Sequence, residues 1–224
     1  MVYPGLRLLD LVGSLSILMS LSMGGGYRPV VVAERAEVIP SDTPLKLIPP
    51  KTFGDVPRPD ALIVVGGDGA AVDALDSEAL RRYVQSAART ADFVASIGTG
   101  SLILGALGLL QGRRATTHWA YADALVRMGA VYERQPWVED GPYITAAGVS
   151  AAVDMALHLT GKLVGESRAR MTQLFAEYDP EPPFGGIAWA AVETRQQAPL
   201  TPQQEALLRT VFAESSPSAF ALNR

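Results

Sequence analysis

Four short segments of the chain are almost continuously apolar and rich in β-branched residues. They are Tyr27–Ala33, Ala61–Val65, Phe93–Ile97 and Tyr143–Ala146. Continuous rather than alternating apolar character is typical of parallel strands covered on both faces. Segments with helical periodicity lie beside and between them, at Leu8–Leu21, Glu78–Arg89, Thr99–Leu107, Ala120–Met128, Val149–Leu163 and Gly165–Glu177. The alternation predicts an α/β fold, with a mostly parallel sheet and helices on both faces.

The two ends of the chain depart from this alternation. Only Met1–Tyr3 precede the first Pro-Gly pair, so the first strand is at the short limit for a sheet. In the second half of the chain, Asp140-Gly141 lies between Trp137–Glu139 and Tyr143–Ala146 and predicts a hairpin turn. We predict one α/β domain over residues 1–184, followed over residues 185–224 by a C-terminal arm that contains a short helix, Gln203–Glu214.

The composition argues against several classes of function. The chain has 224 residues, a net charge of −4, two histidines and no cysteine. The charge argues against nucleic-acid binding, and the missing cysteines remove disulfides, thiolate metal ligands and a cysteine nucleophile. We expect no metal and no cofactor. The uncharged segment Phe93–Leu110 reaches membrane-spanning length, but its glycines favour a strand, a turn and a buried helix, so we predict a cytoplasmic protein with no membrane association.

Gly98 occupies the most informative position in the sequence. It lies between the predicted strand Phe93–Ile97 and a helix that begins near Thr99. Such a nucleophile elbow exposes its central residue over the sheet edge, beside backbone N–H groups that favour negative charge. The alternative interpretation is a structural turn, which glycine tolerates more readily than other residues.

Three further positions could contribute to a site. The segment Val64–Gly69 follows a predicted strand, and its glycines free backbone amides that could bind an anion, although a plain turn explains it equally well. Asp10 lies among leucines near a helix start, where it either caps the helix or is buried with a raised pKa suited to acid–base chemistry. His118 stands beside Trp119 and is either packed or catalytic, whereas His158 on an apolar helix is interpreted as structural.

Several motifs together resemble the ThiJ/PfpI superfamily, which has the flavodoxin-like, class I glutamine-amidotransferase-like fold. These motifs are Tyr3-Pro-Gly5, Leu9-Asp10, Val65-Gly-Gly67, Thr99-Gly-Ser101, Arg113-Arg-Ala-Thr-Thr-His-Trp119, Ala147-Gly-Val149 with Asp154, and Tyr178-Asp-Pro-Glu-Pro-Pro-Phe184. The resemblance covers roughly Val2–Phe184 and is most similar to the isocyanide hydratase branch. The ligand-sensing N-terminal domains of AraC-type regulators are similar over the same motifs. The resemblance also implies a homodimer, with the C-terminal arm packed on the partner subunit.

The resemblance assigns roles to individual residues. Gly98 falls on the family's cysteine nucleophile, and Asp10 falls on its acidic partner. The backbones of Gly67 and Thr99 correspond to the oxyanion donors, and the Thr99 hydroxyl also lines the site in hydratases. His118 matches a histidine that assists the cysteine in some hydrolytic branches. We assign substrate binding to Gly67, to His118 and to two neighbours in the same motifs, Asp68 and Ser101.

A glycine cannot attack carbon, so the resemblance to a hydro-lyase leaves three explanations open. The chain is an engineered inactive variant, a natural pseudoenzyme that binds small molecules, or a protein in which Asp10 and Thr99 activate water directly. A small-molecule-sensing regulatory module and a PfpI-like peptidase or deglycase relative are the alternative functions. In each case we expect Asp10, Gly67, Gly98, Thr99 and His118 to converge on one crevice at the carboxyl ends of the strands.

We predict that the chain does not bind duplex DNA at physiological salt. Its net charge is −4, and only Arg195, Arg209 and Arg224 are positively charged after Phe184. Duplex binding depends on lysine and arginine contacts to phosphates. A gel shift with the isolated chain at low micromolar concentration should show free DNA only, and a salt-sensitive shifted band would contradict the prediction.

Overall fold

The structure is a computed structural model, and it describes residues 1–23, 26–189, 192 and 200–216. The helices are α1 (Leu8–Leu18), α2 (Gly69–Asp73), α3 (Glu78–Thr90), α4 (Gly100–Ala106), α5 (Ala122–Arg127), α6 (Ala151–Val164), α7 (Glu166–Phe175) and α8 (Pro202–Ser215). The strands are β1 (Val32–Ala33), β2 (Ile39–Pro40), β3 (Lys46–Leu47), β4 (Lys51–Thr52), β5 (Ala61–Val64), β6 (Phe93–Ile97), β7 (Arg114–Ala115), β8 (Val131–Tyr132), β9 (Trp137–Asp140) and β10 (Tyr143–Ala146). Short 3₁₀ helices span Met19–Ser22, Ala74–Asp76 and Trp119–Tyr121.

The central sheet has the strand order β5-β6-β10-β9. Strands β5, β6 and β10 are parallel, and β9 is antiparallel to β10 across the turn at Gly141, where φ is +60°. The mostly parallel sheet and the hairpin predicted from Asp140-Gly141 are therefore confirmed. Strand β6 is buried along its whole length, as its continuous apolar sequence predicts.

The residues Met1–Tyr3 extend the sheet beyond β5 without forming a named strand. The amide of Val2 donates to the Val32 carbonyl at 2.9 Å, and the amino group of Met1 donates to the Ile63 carbonyl at 2.7 Å. This short segment therefore bridges β1 and β5. It then turns at Pro4-Gly5 into helix α1.

Helices cover both faces of the sheet. Helix α1 packs against α6 on one face, while α2, α4 and α8 pack together. Helix α3 connects β5 to β6, and α1 connects Met1–Tyr3 to β1. These two connections run in opposite directions across the strand order of the sheet. Since crossovers between parallel strands are right-handed, α1 and α3 lie on opposite faces. The predicted α/β architecture is confirmed.

Two sequence predictions differ from the structure. The strand predicted over Tyr27–Ala33 forms only at Val32–Ala33, where Val2 supplies a hydrogen-bonding neighbour. The predicted C-terminal helix extends over Pro202–Ser215, begins with a capping box at Thr201, and buries Leu208 and Val211. It packs on α2 and α4 of its own chain. The expected packing of the arm on a partner subunit stays a prediction. Of the rest of the arm, residues 190–191, 193–199 and 217–224 lie outside the described residues.

Among the residues that the structure describes, no helix has both the length and the apolar character that crossing a bilayer requires. The uncharged segment Phe93–Leu110 instead forms β6, a turn and the buried helix α4. Glycine at the start of α4 allows this arrangement. A Cβ on Gly100 would lie 2.3 Å from the Val64 carbonyl oxygen and 2.8 Å from that of Val65, so only glycine fits.

Replacing Gly100 by alanine should therefore destabilise the fold. The added methyl group collides with backbone rather than with a movable side chain, and overpacking of this kind costs on the order of 1–3 kcal/mol or more. Gly161→Ala is the matched control, because its Cβ would meet Ala169 at an ordinary 3.6 Å. That change, inside helix α6, should be neutral or stabilising by about 0.5–1 kcal/mol. Urea unfolding of both variants measures the difference, and equal midpoints would contradict the expectation.

Candidate functional site

Gly98 forms a left-handed turn between β6 and α4, with a φ of +52°. Its carbonyl accepts hydrogen bonds from the hydroxyl groups of Ser101 at 2.9 Å and Thr117 at 3.1 Å. Its amide donates to the Ala146 carbonyl at 2.9 Å. Both backbone groups of Gly98 are therefore fixed by hydrogen bonds. A side chain at this position would leave the backbone in one defined direction.

Asp10 lies directly beside that position. A Cβ built on Gly98 lies 3.3 Å from Asp10 Oδ2 and 3.8 Å from the Ala147 carbonyl oxygen. Asp10 is 1% exposed, and its Oδ2 accepts a hydrogen bond from the Gly66 amide at 3.1 Å. It does not cap α1, because the helix has no side-chain cap. Its other carboxylate oxygen, Oδ1, is buried without a hydrogen-bond partner.

Burial raises the pKa of Asp10 from 3.8 to about 6. The positive charge of Arg7 and the hydrogen bond from the Gly66 amide oppose this rise, while the carboxylates of Asp68 and Asp42 add to it. A carboxyl group with a pKa near 6 is available in both protonation states close to neutral pH. That property suits a general acid or base.

The glycine turn after β5 packs against the Gly98 turn. The amide of Gly67 donates to Thr99 Oγ1 at 3.0 Å, so the two turns are joined by a hydrogen bond. A Cβ on Gly66 would lie 2.5 Å from Asp10 Oδ2, which explains why this position requires glycine. The Gly67 amide is thus already satisfied by Thr99. A ligand that accepts from this amide must replace the Thr99 hydroxyl.

Asp68 lies at the outer side of this turn in a backbone conformation unusual for a residue with a side chain, with a φ of +49°. Its carboxylate forms an ion pair with Arg7, whose guanidinium also lies 3.7 Å from Asp42. The sequence analysis did not identify Arg7. Its position one residue before α1 places a positive charge near the carboxylate of Asp10 and at the border of the site.

The other two residues assigned to substrate binding lie at different depths. Ser101 has no exposed surface, and its hydroxyl supports the Gly98 carbonyl from behind the turn. His118 is half-buried, and its ring lies near Gly148, where a Cβ would be 3.6 Å from His118 Cδ2. Burial lowers the pKa of His118, although the charge of Asp68 raises it. The imidazole is therefore mainly neutral at neutral pH.

His158 lies apart from these residues. Its Nε2 is 2.9 Å from Glu139 Oε2, and Glu139 also pairs with Lys162. The ring packs against Trp137, with the ring centroids 5.5 Å apart. These contacts join α6 to β9. Within the described residues, no group of three or more histidine, aspartate and glutamate side chains could hold a metal ion.

The structure thus brings Asp10, Gly67, Gly98 and Thr99 together where β5 and β6 end. The carbonyl ends of parallel strands form the crevice in which open α/β sheets bind ligands. Sequence reasoning did not identify Gly66 and Thr117, although both fall within the motifs that it singled out. The fold and this turn define the class: a flavodoxin-like α/β protein with a glycine turn between a buried strand and a helix and a buried carboxyl group beside it.

Comparisons with known proteins agree with this class. The sequence profile of the DJ-1/PfpI family matches residues 1–162, and the chain belongs to that family. It is 41% identical over 184 residues to the isonitrile hydratase of Pseudomonas putida, covering 82% of this chain and 79% of the relative. A ThiJ/PfpI family protein from Pseudomonas syringae has a similar structure, with a TM-score of 0.80 and 34% identity over 99% of this chain and 87% of the other.

A second relative, matched over a shorter stretch, is named as a transcriptional regulator. The chain is 35% identical over 95 residues to CdhR, a helix-turn-helix-type transcriptional regulator of Pseudomonas aeruginosa. That match covers 41% of this chain and 28% of the regulator. The relatives of this chain therefore include one protein named as a hydratase and one named as a transcriptional regulator.

Replacing Asp10 by asparagine should stabilise the protein at pH 7.5 and have a smaller effect at pH 4.5. A carboxyl group whose pKa is raised by folding lowers the free energy of unfolding only when it is ionised. Its destabilising effect therefore grows as pH rises from about 4 to about 6. The expected gain at pH 7.5 is on the order of 3 kcal/mol, from a shift of about two pKa units. The Gly66 amide keeps an oxygen acceptor in the variant.

Chemical unfolding of parent and variant at the two pH values gives this difference. Groups common to both proteins, such as the buried Met1 amino group, cancel in the comparison. Asp55→Asn is the control: Asp55 is exposed, and its hydrogen bonds from Thr52 lower its pKa, so its titration lies below this range. A destabilised Asp10→Asn variant at pH 7.5 would contradict the expectation.

Proposed function

We propose that this chain is an isocyanide-hydratase-like protein that binds small isocyanide-type molecules at the Gly98 turn but lacks the covalent nucleophile. One observation carries the proposal: the carboxyl group of Asp10 lies 3.3 Å from the position of a Cβ on residue 98, with its Oδ1 unpartnered. A proton-transfer group is thus in place beside a side chain that the sequence does not have. The 41% identity to isonitrile hydratase supports the substrate class.

The reaction joins water to the terminal carbon of an isocyanide and gives an N-substituted formamide. With a cysteine at residue 98, the thiolate would bond to that carbon, and Asp10 would supply a proton to the adduct. Water would then add to the same carbon, with one of its protons going to the nitrogen and the other to the Asp10 carboxylate. The carbon–sulfur bond would break to release the N-substituted formamide and regenerate the thiolate. The carboxyl group ends each cycle in its starting protonation state, so Asp10 acts as a general acid and then a base.

Glycine at residue 98 removes the covalent steps and keeps the proton donor. Loss of a covalent nucleophile removes most of an enzyme's rate enhancement, while substrate binding and polar groups leave some residual catalysis. A natural pseudoenzyme and an engineered inactive variant share this expectation. Direct activation of water by Asp10 and Thr99 is the third explanation, and it requires turnover without any thiol.

A sensor role is the second candidate function, and the identity to the regulator CdhR favours it. In that case the Gly98 turn binds a ligand and has no reaction to perform. The charge of −4 means that DNA binding would belong to another chain or domain. A PfpI-like peptidase or deglycase relative is a third candidate, but its chemistry needs the same cysteine.

We also propose that the protein acts in the cytoplasm as a homodimer. Apolar side chains on the outer face of α1 support an interface, since Leu9 is 59% exposed and Val12 is 48% exposed. Met19 and Met23, which follow the helix in the chain, are also exposed. A contiguous exposed apolar surface is typical of a protein–protein contact.

The decisive experiment is Gly98→Cys. The parent should be nearly inert towards para-nitrophenyl isocyanide, and the variant should form the formamide more than tenfold faster. A tenfold change is only about 1.4 kcal/mol of barrier, far below the contribution of a covalent nucleophile. The backbone strain of a side chain at a φ of +52° costs on the order of 1–3 kcal/mol, and Asp10 must move by a few tenths of an ångström.

Two matched variants assign the gain to the proposed chemistry. Gly98→Ala introduces the same strain without a thiol and should stay at the parent's rate. Gly98→Cys combined with Asp10→Asn should lose most of the gain, because the thiol then lacks its proton-transfer partner. If Gly98→Cys folds and gains no more than tenfold, the hydratase proposal is wrong and the sensor role replaces it.

A further inference from the structure

Three charged side chains lie together at the border of the Gly98 site. The Arg7 guanidinium forms an ion pair with Asp68 and also lies 3.7 Å from the Asp42 carboxylate. In the part of the chain that the structure describes, no other cation lies within ion-pair distance of either carboxylate. This group of three residues, here called the border cluster, therefore has one positive and two negative charges and carries an excess negative charge.

The two carboxylates of the border cluster have different surroundings. Asp42 accepts a hydrogen bond from the Leu8 amide at 2.9 Å, at the start of α1, where the helix N-terminus stabilises a negative charge. Asp68 immediately precedes α2, but its side chain does not cap that helix and is 44% exposed. Arg7 can therefore stay paired with Asp42 while the Asp68 carboxylate exchanges its partner.

The charge of Asp68 acts on two neighbouring aromatic rings. Burial has the largest influence on both rings, since it lowers the pKa of His118 and raises the pKa of Tyr121. The charge of Asp68 raises both pKa values, and the charge of Arg7 lowers both. The two rings meet edge to face, with their centroids 6.0 Å apart. A tyrosine ring near a carboxylate favours a cation between them.

The buried carboxyl group of Asp10 provides independent evidence for a ligand at this position. Its Oδ1 has no hydrogen-bond partner among the described residues, although the side chain is almost fully buried. A buried polar atom without a partner is rare in a folded protein, and a polar group of a ligand would satisfy it. Besides burial, the charges of Arg7, Asp68 and Asp42 all influence the pKa of Asp10, so the border cluster adjoins the same ligand position.

We propose that the Gly98 site selects ligands whose substituent carries a positive charge, with Asp68 as the counter-ion. This inference rests on the proposed function and adds the charge class of the ligand. A cationic substituent on Asp68 leaves Arg7 paired with Asp42, so every charge of the border cluster is balanced. An anionic substituent on Arg7 would instead bring a third negative charge beside the two carboxylates, which is unfavourable.

Gly98→Cys places a probe of local charge in the site and requires no turnover. The chain has no cysteine of its own, so this variant carries a single thiol. Two methanethiosulfonates of similar size are compared, one with a cationic trimethylammonioethyl group and one with an anionic sulfonatoethyl group. Each transfers its thioalkyl group to the thiolate and releases methanesulfinate, and mass spectrometry gives the rate. Ser16→Cys is the matched control, because Ser16 is an exposed residue of α1.

The ratio of the cationic rate to the anionic rate should be about tenfold higher at residue 98 than at residue 16 in low salt. Added salt should reduce this preference by screening the charges. In the Gly98→Cys background, Asp68→Asn should lower the ratio about fivefold, and Arg7→Gln should raise it. A change in the pKa of the thiol affects both reagents alike and cancels in the ratio.

Asp68→Asn keeps the test sharp even if Arg7→Gln does not fold. Residue 68 has a φ of +49°, and asparagine tolerates a left-handed backbone about as well as aspartate does. The substitution therefore removes the charge and keeps the size of the side chain.

Four results would overturn the proposal. Equal ratios at residues 98 and 16 would show that the site has no charge preference, and a faster anionic reaction at residue 98 would assign Arg7 to an anionic ligand. A high ratio that Asp68→Asn leaves unchanged would show that Asp68 is not the counter-ion. No reaction with either reagent would show that the site does not admit a charged group. The probe needs only access to the thiol, so a failure of Gly98→Cys to turn over an isocyanide would count against the hydratase proposal alone.

Discussion

The buried carboxyl group of Asp10 is the interaction on which the site depends. It lies in the first turn of α1, accepts a hydrogen bond from Gly66 after β5, and borders Gly98 after β6. One side chain therefore sets the spacing of three elements. Burying it raises its pKa, which costs stability in the ionised state but keeps a proton available near neutral pH. The same burial that weakens the fold gives Asp10 the raised pKa that its proposed acid–base role requires.

Glycines make this close packing possible. Gly66 leaves room for the Asp10 carboxylate, and Gly100 lets α4 begin against the carbonyl groups at the end of β5. At Gly98, backbone conformation rather than lack of space favours glycine. Its left-handed backbone is favoured by glycine, but the space around its Cβ position is sufficient for a side chain once Asp10 shifts slightly. The turn is therefore held in an elbow conformation by its hydrogen bonds to Ser101 and Thr117, whatever residue 98 carries.

Much of this arrangement could be predicted from the sequence, because buried strands have a distinctive composition. Strands β6 and β10 match their predicted bounds, and the position of Gly98 at the end of β6 follows from them. The hydrogen bond from Gly67 to Thr99 and the ion pair of Arg7 with Asp68 could not be predicted. Both join residues that are distant in sequence, and their geometry depends on how two turns pack. The shortened β1 was missed because strand formation depends on a neighbour as well as on composition.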